Sequence, residues 1–80
     1  MPRLELFGTQ SCPFTAELRE WLLFRRCKFE EYDVEVDPEA FARMQALAPG
    51  QPMVPLLIED GEIRQVGWQG RSCTVGMGGL

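Results

Sequence analysis

The pattern of apolar and polar positions predicts a strand that leads directly into a helix at the start of the chain. Residues 3–7 alternate between polar and apolar side chains and end in an aromatic residue, as in a half-buried strand. From Pro13, apolar residues recur every three or four positions with charged residues between them, which is typical of an amphipathic helix. This helix should end at about Arg25 or Arg26. Its predicted core-facing residues include Leu18, Trp21 and Leu22.

The apolar pattern next predicts a second strand and a second helix. Residues 28–36 alternate and predict a second strand. Asp37-Pro38-Glu39 is typical of a helix start, and the second helix carries Phe41 and Met44 on its buried side before it ends at Pro49-Gly50.

The last part of the chain predicts two strands joined by a tight turn. The apolar run 53–58 is typical of an inner strand, and Asp60-Gly61 is typical of a hairpin turn that leads into a return strand over 62–66. Residues from Gln69 to Val75 could form a short third helix, and residues 76–80 are expected to fray.

The element order β-α-β-α-β-β predicts an α/β fold. A crossover helix joins the first two strands, so they should be parallel, whereas the hairpin makes the last two antiparallel. We therefore expect one domain, residues 1–80, with a mixed four-stranded sheet and helices packed on it.

Composition narrows the class of protein. The 80 residues carry a net charge of −4, which argues against a nucleic-acid partner. No apolar run is long enough to span a membrane, and the start of the chain lacks the apolar region of a secretory signal, so we expect a cytoplasmic protein without a membrane partner. There is no histidine, which removes the most common metal ligand and general base, and no metal is expected.

Cysteine chemistry is predicted at Cys12, which lies where the first strand turns into the first helix. Pro13 suits the first helical position because its missing N–H would have no partner there. The free N–H groups and the positive end of the helix dipole then face the sulfur, a setting that can lower a cysteine pKa by about 1 to 5 units. The other two cysteines, Cys27 and Cys73, form no C-x-x-C pair with it. We expect Cys27 to be a small residue at the edge of the core.

Two motifs carry a resemblance to the glutaredoxin family, which has the thioredoxin fold. Cys12-Pro13-Phe14-Thr15 resembles the family's C-P-Y-C motif with threonine in place of the second cysteine. Met53-Val54-Pro55 resembles its T-V-P motif, in which the proline is cis and the backbone of its neighbour pairs with the cysteine of the substrate. Gly50-Gln51 lies where the family often has Gly-Gln or Gly-Arg just before that motif. The resemblance covers about residues 3–72, and the layout is similar to the short Uxx-star group.

The chain departs from the family at several positions. The family's lysine before the nucleophile is Thr9 here, and its arginine before T-V-P is Pro52. The glycine pair and acidic pair that hold glutathione in the family are replaced by the sequence of residues 67–72. Trp68-Gln69-Gly70 resembles the W-S-G of glutaredoxin-like electron donors of ribonucleotide reductase.

The resemblance implies a role for each candidate residue. Cys12 would be the nucleophile, the Val54-Pro55 backbone would align the substrate, and Thr15 would either donate a hydrogen bond to the sulfur or lie on the helix surface. Cys73 could be a resolving cysteine. The residues expected to contact substrate are Pro13, Phe14, Gln51, Val54, Trp68 and Arg71.

The resulting hypothesis is a monothiol glutaredoxin-like oxidoreductase that reduces glutathionylated or other disulfide-bearing substrates through Cys12. Its reductant would be glutathione or another low-molecular-weight thiol. Two alternatives stay open: a [2Fe–2S] cluster carrier, and a non-catalytic binding module on the same fold.

Overall fold

The computed structural model describes residues 3–50 and 52–75 of the chain. Its elements, in order, are β1 (Leu4–Gly8), α1 (Pro13–Phe24), β2 (Phe29–Asp33), α2 (Pro38–Leu47), β3 (Met53–Val54), β4 (Leu56–Glu59), β5 (Glu62–Val66) and β6 (Cys73–Thr74). Among these residues no helix is both long and apolar enough to cross a membrane.

The main sheet has four strands in the order β2-β1-β4-β5. β1 and β2 are parallel, as a helical crossover requires, whereas β4 is antiparallel to both of its neighbours. The predicted α/β class and mixed four-stranded sheet are therefore confirmed.

Pro55 divides the single strand predicted over residues 53–58 into β3 and β4. Proline has no N–H to donate to a strand ladder, and the Val54–Pro55 peptide bond is cis. β4 continues in the main sheet, while β3 pairs with β6 in a separate two-stranded sheet.

The third helix that residues 69–75 could have formed is replaced by a turn and a strand. Gly67, Gln69 and Gly70 all have positive φ angles, which a right-handed helix cannot accommodate. Trp68 and Arg71 close the turn with two backbone hydrogen bonds, Trp68 N–H to Arg71 O at 2.7 Å and Arg71 N–H to Trp68 O at 2.9 Å. The chain then returns as β6. The fraying expected for residues 76–80 lies outside the described residues.

Two apolar clusters lie on opposite faces of the sheet, because neighbouring residues of a strand point to opposite sides. One is centred on α1 and the other on α2, and the aromatic Phe7 lies in the second. The members of the first are Leu6, Leu18, Leu22 and Leu57; the second includes Phe7, Val34, Met44, Val54, Leu56, Ile58 and Val75.

The prediction that Trp21 is a core residue is wrong, although Leu22 and Met44 are buried as predicted and Phe41 is partly buried. Trp21 is 40% exposed. Its ring lies 5.6 Å from that of Trp68, at the edge of the cluster under α1. Leu18 and Leu22, one helical turn apart, occupy the part of α1 that faces the sheet, so Trp21 is left at the side.

Glu5 ties α2 to the sheet through a buried carboxylate. Its Oε2 accepts hydrogen bonds from the Arg43 guanidinium at 2.7 Å and from the Tyr32 hydroxyl at 3.3 Å. The guanidinium also lies 5.2 Å from the centre of the Phe7 ring. The hydrogen bond from Arg43 lowers the pKa of Glu5, so the carboxylate is charged and paired in the folded protein.

Replacing Arg43 by methionine should destabilise the protein at neutral pH, because it leaves the Glu5 carboxylate buried without its main partner. Arg43 is itself about half exposed, so we expect a loss of about 1–2 kcal/mol in the free energy of unfolding. A lowered pKa stabilises the fold above the unfolded-state pKa and stops doing so as the pH falls through the folded-state pKa. The difference between the two proteins should therefore narrow below about pH 4.

Urea unfolding followed by circular dichroism at several pH values measures this effect. Arg64→Met is the matched control, because Arg64 pairs with Glu59 only across 3.5 Å at the surface and should change stability by less than about 0.5 kcal/mol. Equal losses in the two variants, or a loss for Arg43→Met that does not vary with pH, would contradict the assigned role of Glu5.

Candidate active site

Cys12 is the N-cap residue of α1, with extended backbone angles of φ −91° and ψ 115°. Pro13 occupies the first helical position, no side chain caps the helix, and its first turn carries no acidic residue. The N–H groups of that turn and the helix dipole are therefore available to stabilise negative charge on the Cys12 sulfur. This is the local geometry that the sequence predicts for a reactive thiol.

Cys12 forms a disulfide with Cys73 of β6. The two Cα atoms lie 6.0 Å apart, although 61 positions separate the residues in sequence. Cys12 is almost completely buried and Cys73 is partly buried. The structure thus brings the predicted nucleophile together with the cysteine considered as its resolving partner.

Val54 lies beside both sulfurs. Its backbone pairs with Cys73 in the β3–β6 ladder, and its carbonyl oxygen lies 3.9 Å from Cys12 Sγ. A disulfide sulfur has no proton to donate, so this contact can become an S–H···O hydrogen bond only after reduction. Pro55, which follows, is fully buried.

The structure does not bring all the other expected substrate-contacting residues together. Phe14 packs against the cluster that contains Cys12, the Arg71 guanidinium lies 5.9 Å from the centre of the Phe14 ring, and Pro13 is exposed. Trp68 instead packs on Trp21 and the cluster under α1. Gln51 lies outside the described residues. Cys27 is free and partly buried at the edge of the same cluster, as expected.

Thr15 is fully buried, so it is not the helix-surface residue that the sequence left open. Its hydroxyl has no hydrogen-bond partner among the described residues, including the disulfide sulfurs. The side chain packs against Gly8, where an added Cβ would lie only 2.7 Å from Thr15 Oγ1. Glycine at position 8 therefore lets α1 approach β1 closely and places the start of the helix.

Thr15→Val should raise the free energy of unfolding of the oxidised protein by about 1 kcal/mol, because valine has the same shape without the buried, unpaired hydroxyl. The sequence also predicts that the Thr15 hydroxyl donates a hydrogen bond to the Cys12 sulfur. The rate at which iodoacetamide alkylates reduced Cys12 tests this role. If its hydroxyl donates to the thiolate after reduction, that rate falls in Thr15→Val and is retained in Thr15→Ser. Destabilisation of oxidised Thr15→Val would contradict the description of this hydroxyl as unpaired.

Sequence reasoning missed Val75, which follows β6 and is 3% exposed in the cluster under α2. The short pattern Cys-Thr-Val alternates as a strand does, but it is too brief and too close to glycines to predict one. A polar cleft of about 480 Å³ is lined by the end of β1, the β1–α1 loop, α1 and β2, and its lining includes neither Cys12 nor Cys73. Among the described residues no group of acidic and cysteine side chains could hold a metal ion.

The fold and the geometry around Val54 define the class of the protein: a thioredoxin-like fold that carries a disulfide-bonded cysteine at a helix N-terminus. Within that class the chain belongs to the glutaredoxin family, because the family model for glutaredoxin matches residues 4–64. The match ends before Trp68 and Cys73, so the segment that holds the second sulfur lies beyond it.

A solved structure supports the fold. Glutaredoxin 1 from Francisella tularensis, complexed with cacodylate, superposes with a TM-score of 0.59 over 82% of this chain and 84% of that one, at 15% sequence identity. A comparison with curated proteins finds no match. Family and fold together indicate thiol–disulfide oxidoreductase chemistry.

Proposed function

We propose that the protein reduces glutathionylated or other disulfide-bearing substrates, with Cys12 as the attacking thiol and Cys73 as the resolving thiol. The Cys12–Cys73 disulfide carries the proposal, because it joins the predicted nucleophile to a second cysteine across the tertiary structure. Where cytosolic proteins carry disulfides, these are usually transient and either catalytic or redox-sensing, which agrees with the cytoplasmic location that the sequence predicts.

The cycle has three steps. The Cys12 thiolate attacks one sulfur of the substrate disulfide, forms a mixed disulfide and releases the other half of the substrate as a thiolate. The Cys73 thiolate then attacks Cys12 Sγ, which closes the intramolecular disulfide and releases the second half. Two molecules of glutathione or another low-molecular-weight thiol reduce the disulfide, leave the protein as a dithiol and are themselves oxidised to their disulfide.

The protein assists the first step at two points. The N-terminus of α1 stabilises the attacking thiolate, and the Val54 backbone offers hydrogen-bonding groups beside it. Phe14 follows Cys12 by two positions, Arg71 precedes Cys73 by two, and the two side chains contact each other, so they are our proposed contacts to the substrate. In the monothiol cycle that the sequence predicts, an external thiol attacks the mixed disulfide and releases Cys12 directly, so the intramolecular disulfide does not form and the third step is absent.

Turnover of a glutathionylated peptide with glutathione as reductant, compared between wild type and Cys73→Ser, separates the two cycles. Mass spectrometry of the protein after one turnover should show an intramolecular disulfide in the wild type and a mixed disulfide in Cys73→Ser. If glutathionylated Cys12 also accumulates in the wild type and Cys73→Ser turns over equally fast, the cycle is monothiol. Absence of turnover in both would contradict the proposed activity.

A further inference from the structure

The segment that carries Cys73 occupies the edge of β3. Met53 pairs with Thr74 and Val54 with Cys73, and the Val75 N–H donates a 2.8 Å hydrogen bond to the carbonyl of Pro52. Among the described residues β3 has no other strand neighbour. This segment, residues 72–75, is referred to below as the C-terminal strap.

The strap also shields the sulfur of Cys12 from solvent. Cys12 is 1% exposed, and Cys73 is bonded to it from the β3 side. An external disulfide must bring one of its own sulfurs into contact with Cys12 Sγ before it can react. The strap must therefore leave β3 before any substrate is attacked.

Few contacts hold the strap once the disulfide is reduced. A two-residue ladder is a weak unit of structure, and Ser72 and Thr74 are exposed. The remaining apolar anchor is Val75, which is buried among residues of the α2 cluster. At the other end the strap joins a turn in which Gly67 and Gly70 have positive φ angles.

The family resemblance already assigns the Val54 backbone to the cysteine of the substrate. We propose that the strap is an internal ligand that competes for this edge of β3 and that protein substrates displace, and that the place of Val75 selects among those substrates. The substrate would be an extended polypeptide with its cysteine opposite Val54 and an apolar residue two positions later in the place of Val75. This inference deepens the proposed function and rests on it.

Two features of the bound strap favour a polypeptide over glutathione as the preferred occupant. The ladder uses backbone groups on the strap from Cys73 to Val75, and the apolar anchor is the second residue after the cysteine. Glutathione has a single residue, glycine, after its cysteine, so it cannot reach the position of Val75. In the resolving step, the return of the strap to β3 brings Cys73 to Cys12 and removes the product from the same edge.

The test uses reduced Cys73→Ser protein, in which Cys12 cannot be resolved internally. The probe is the peptide Arg-Ser-Cys-Thr-Val, the sequence of residues 71–75, with its cysteine activated as a 2-thiopyridyl disulfide. Cys12 attacks the peptide sulfur, the Cys12–peptide disulfide forms, and pyridine-2-thione leaves and is followed by its absorbance. The comparison peptides have aspartate at the last position or carry the same residues in reverse order, and 2-thiopyridyl glutathione is the small-thiol control.

At peptide concentrations below saturation, the valine peptide should react about tenfold faster or more than the aspartate peptide, the reversed peptide and the glutathione probe, because only it can bury an apolar residue in the place of Val75. Equal rates for all four probes would overturn the inference and leave the reactivity of Cys12 intact. If no probe forms a mixed disulfide although the unfolded protein is labelled, the proposed function fails instead.

A second measurement weakens the strap rather than changing the peptide. In the Cys73→Ser background, Val75→Asp should accelerate the reaction with the valine peptide severalfold, because the internal competitor loses its anchor. Val36→Asp is the matched control, since Val36 is 77% exposed and distant in the sequence from β3 and β6. With native-like circular dichroism for both variants, an unchanged or lower rate for Val75→Asp would overturn the competition between strap and substrate.

Discussion

Replacing Cys12 by serine is expected to abolish reduction of a glutathionylated substrate, with a loss of at least about a thousandfold in kcat/KM. A serine hydroxyl stays protonated near neutral pH and cannot form the mixed disulfide, so neither the helix N-terminus nor the Val54 backbone can compensate. Coupled oxidation of glutathione measures the rate.

Cys27→Ser is the matched control for this substitution. Cys27 is free, lies at the edge of the cluster under α1 and has no part in the proposed cycle, so its variant should keep the wild-type rate. Circular dichroism should show that both variants are folded. If Cys12→Ser retains a substantial fraction of the activity, or if Cys27→Ser loses it, the attacking thiol is assigned to the wrong residue.

Reduction of the Cys12–Cys73 disulfide should lower the free energy of unfolding by about 4 kcal/mol. The bond joins residues that are 61 positions apart and so removes a large part of the conformational freedom of the unfolded chain. For a domain of this size such a loss is a large share of the total stability. Denaturant unfolding of the oxidised protein and of the protein kept in excess reductant gives the difference directly.

The same measurement on Cys73→Ser and Cys27→Ser separates the bond from other effects of the reductant. Cys73→Ser should resemble the reduced wild type under both conditions, whereas Cys27→Ser should repeat the wild-type difference. A wild-type protein whose midpoint does not respond to reductant would contradict the presence of this disulfide in the folded state.

Local sequence signals were sufficient for most of the fold. The helix starts at Pro13 and at Asp37-Pro38 depend on residues within one turn, and the hairpin at Asp60-Gly61 depends on two neighbouring residues. The order of these elements then fixes which strands run parallel, because short and long connections allow different pairings. The part that was not predicted, the turn and β6 after Val66, depends on pairing with β3 rather than on local preference.

The candidate site shows the same division. The sequence by itself determined that Cys12 lies at the N-terminus of a helix, because strand, turn and helix are contiguous there, and its motifs indicated the family. Only the tertiary structure decided that Cys73 reaches Cys12, that Thr15 is buried against Gly8 and that Trp21 lies beside Trp68 rather than in the core. Each of these depends on contacts between residues that are close in space through the packing of separate elements, and the apolar pattern of a single element does not specify those contacts.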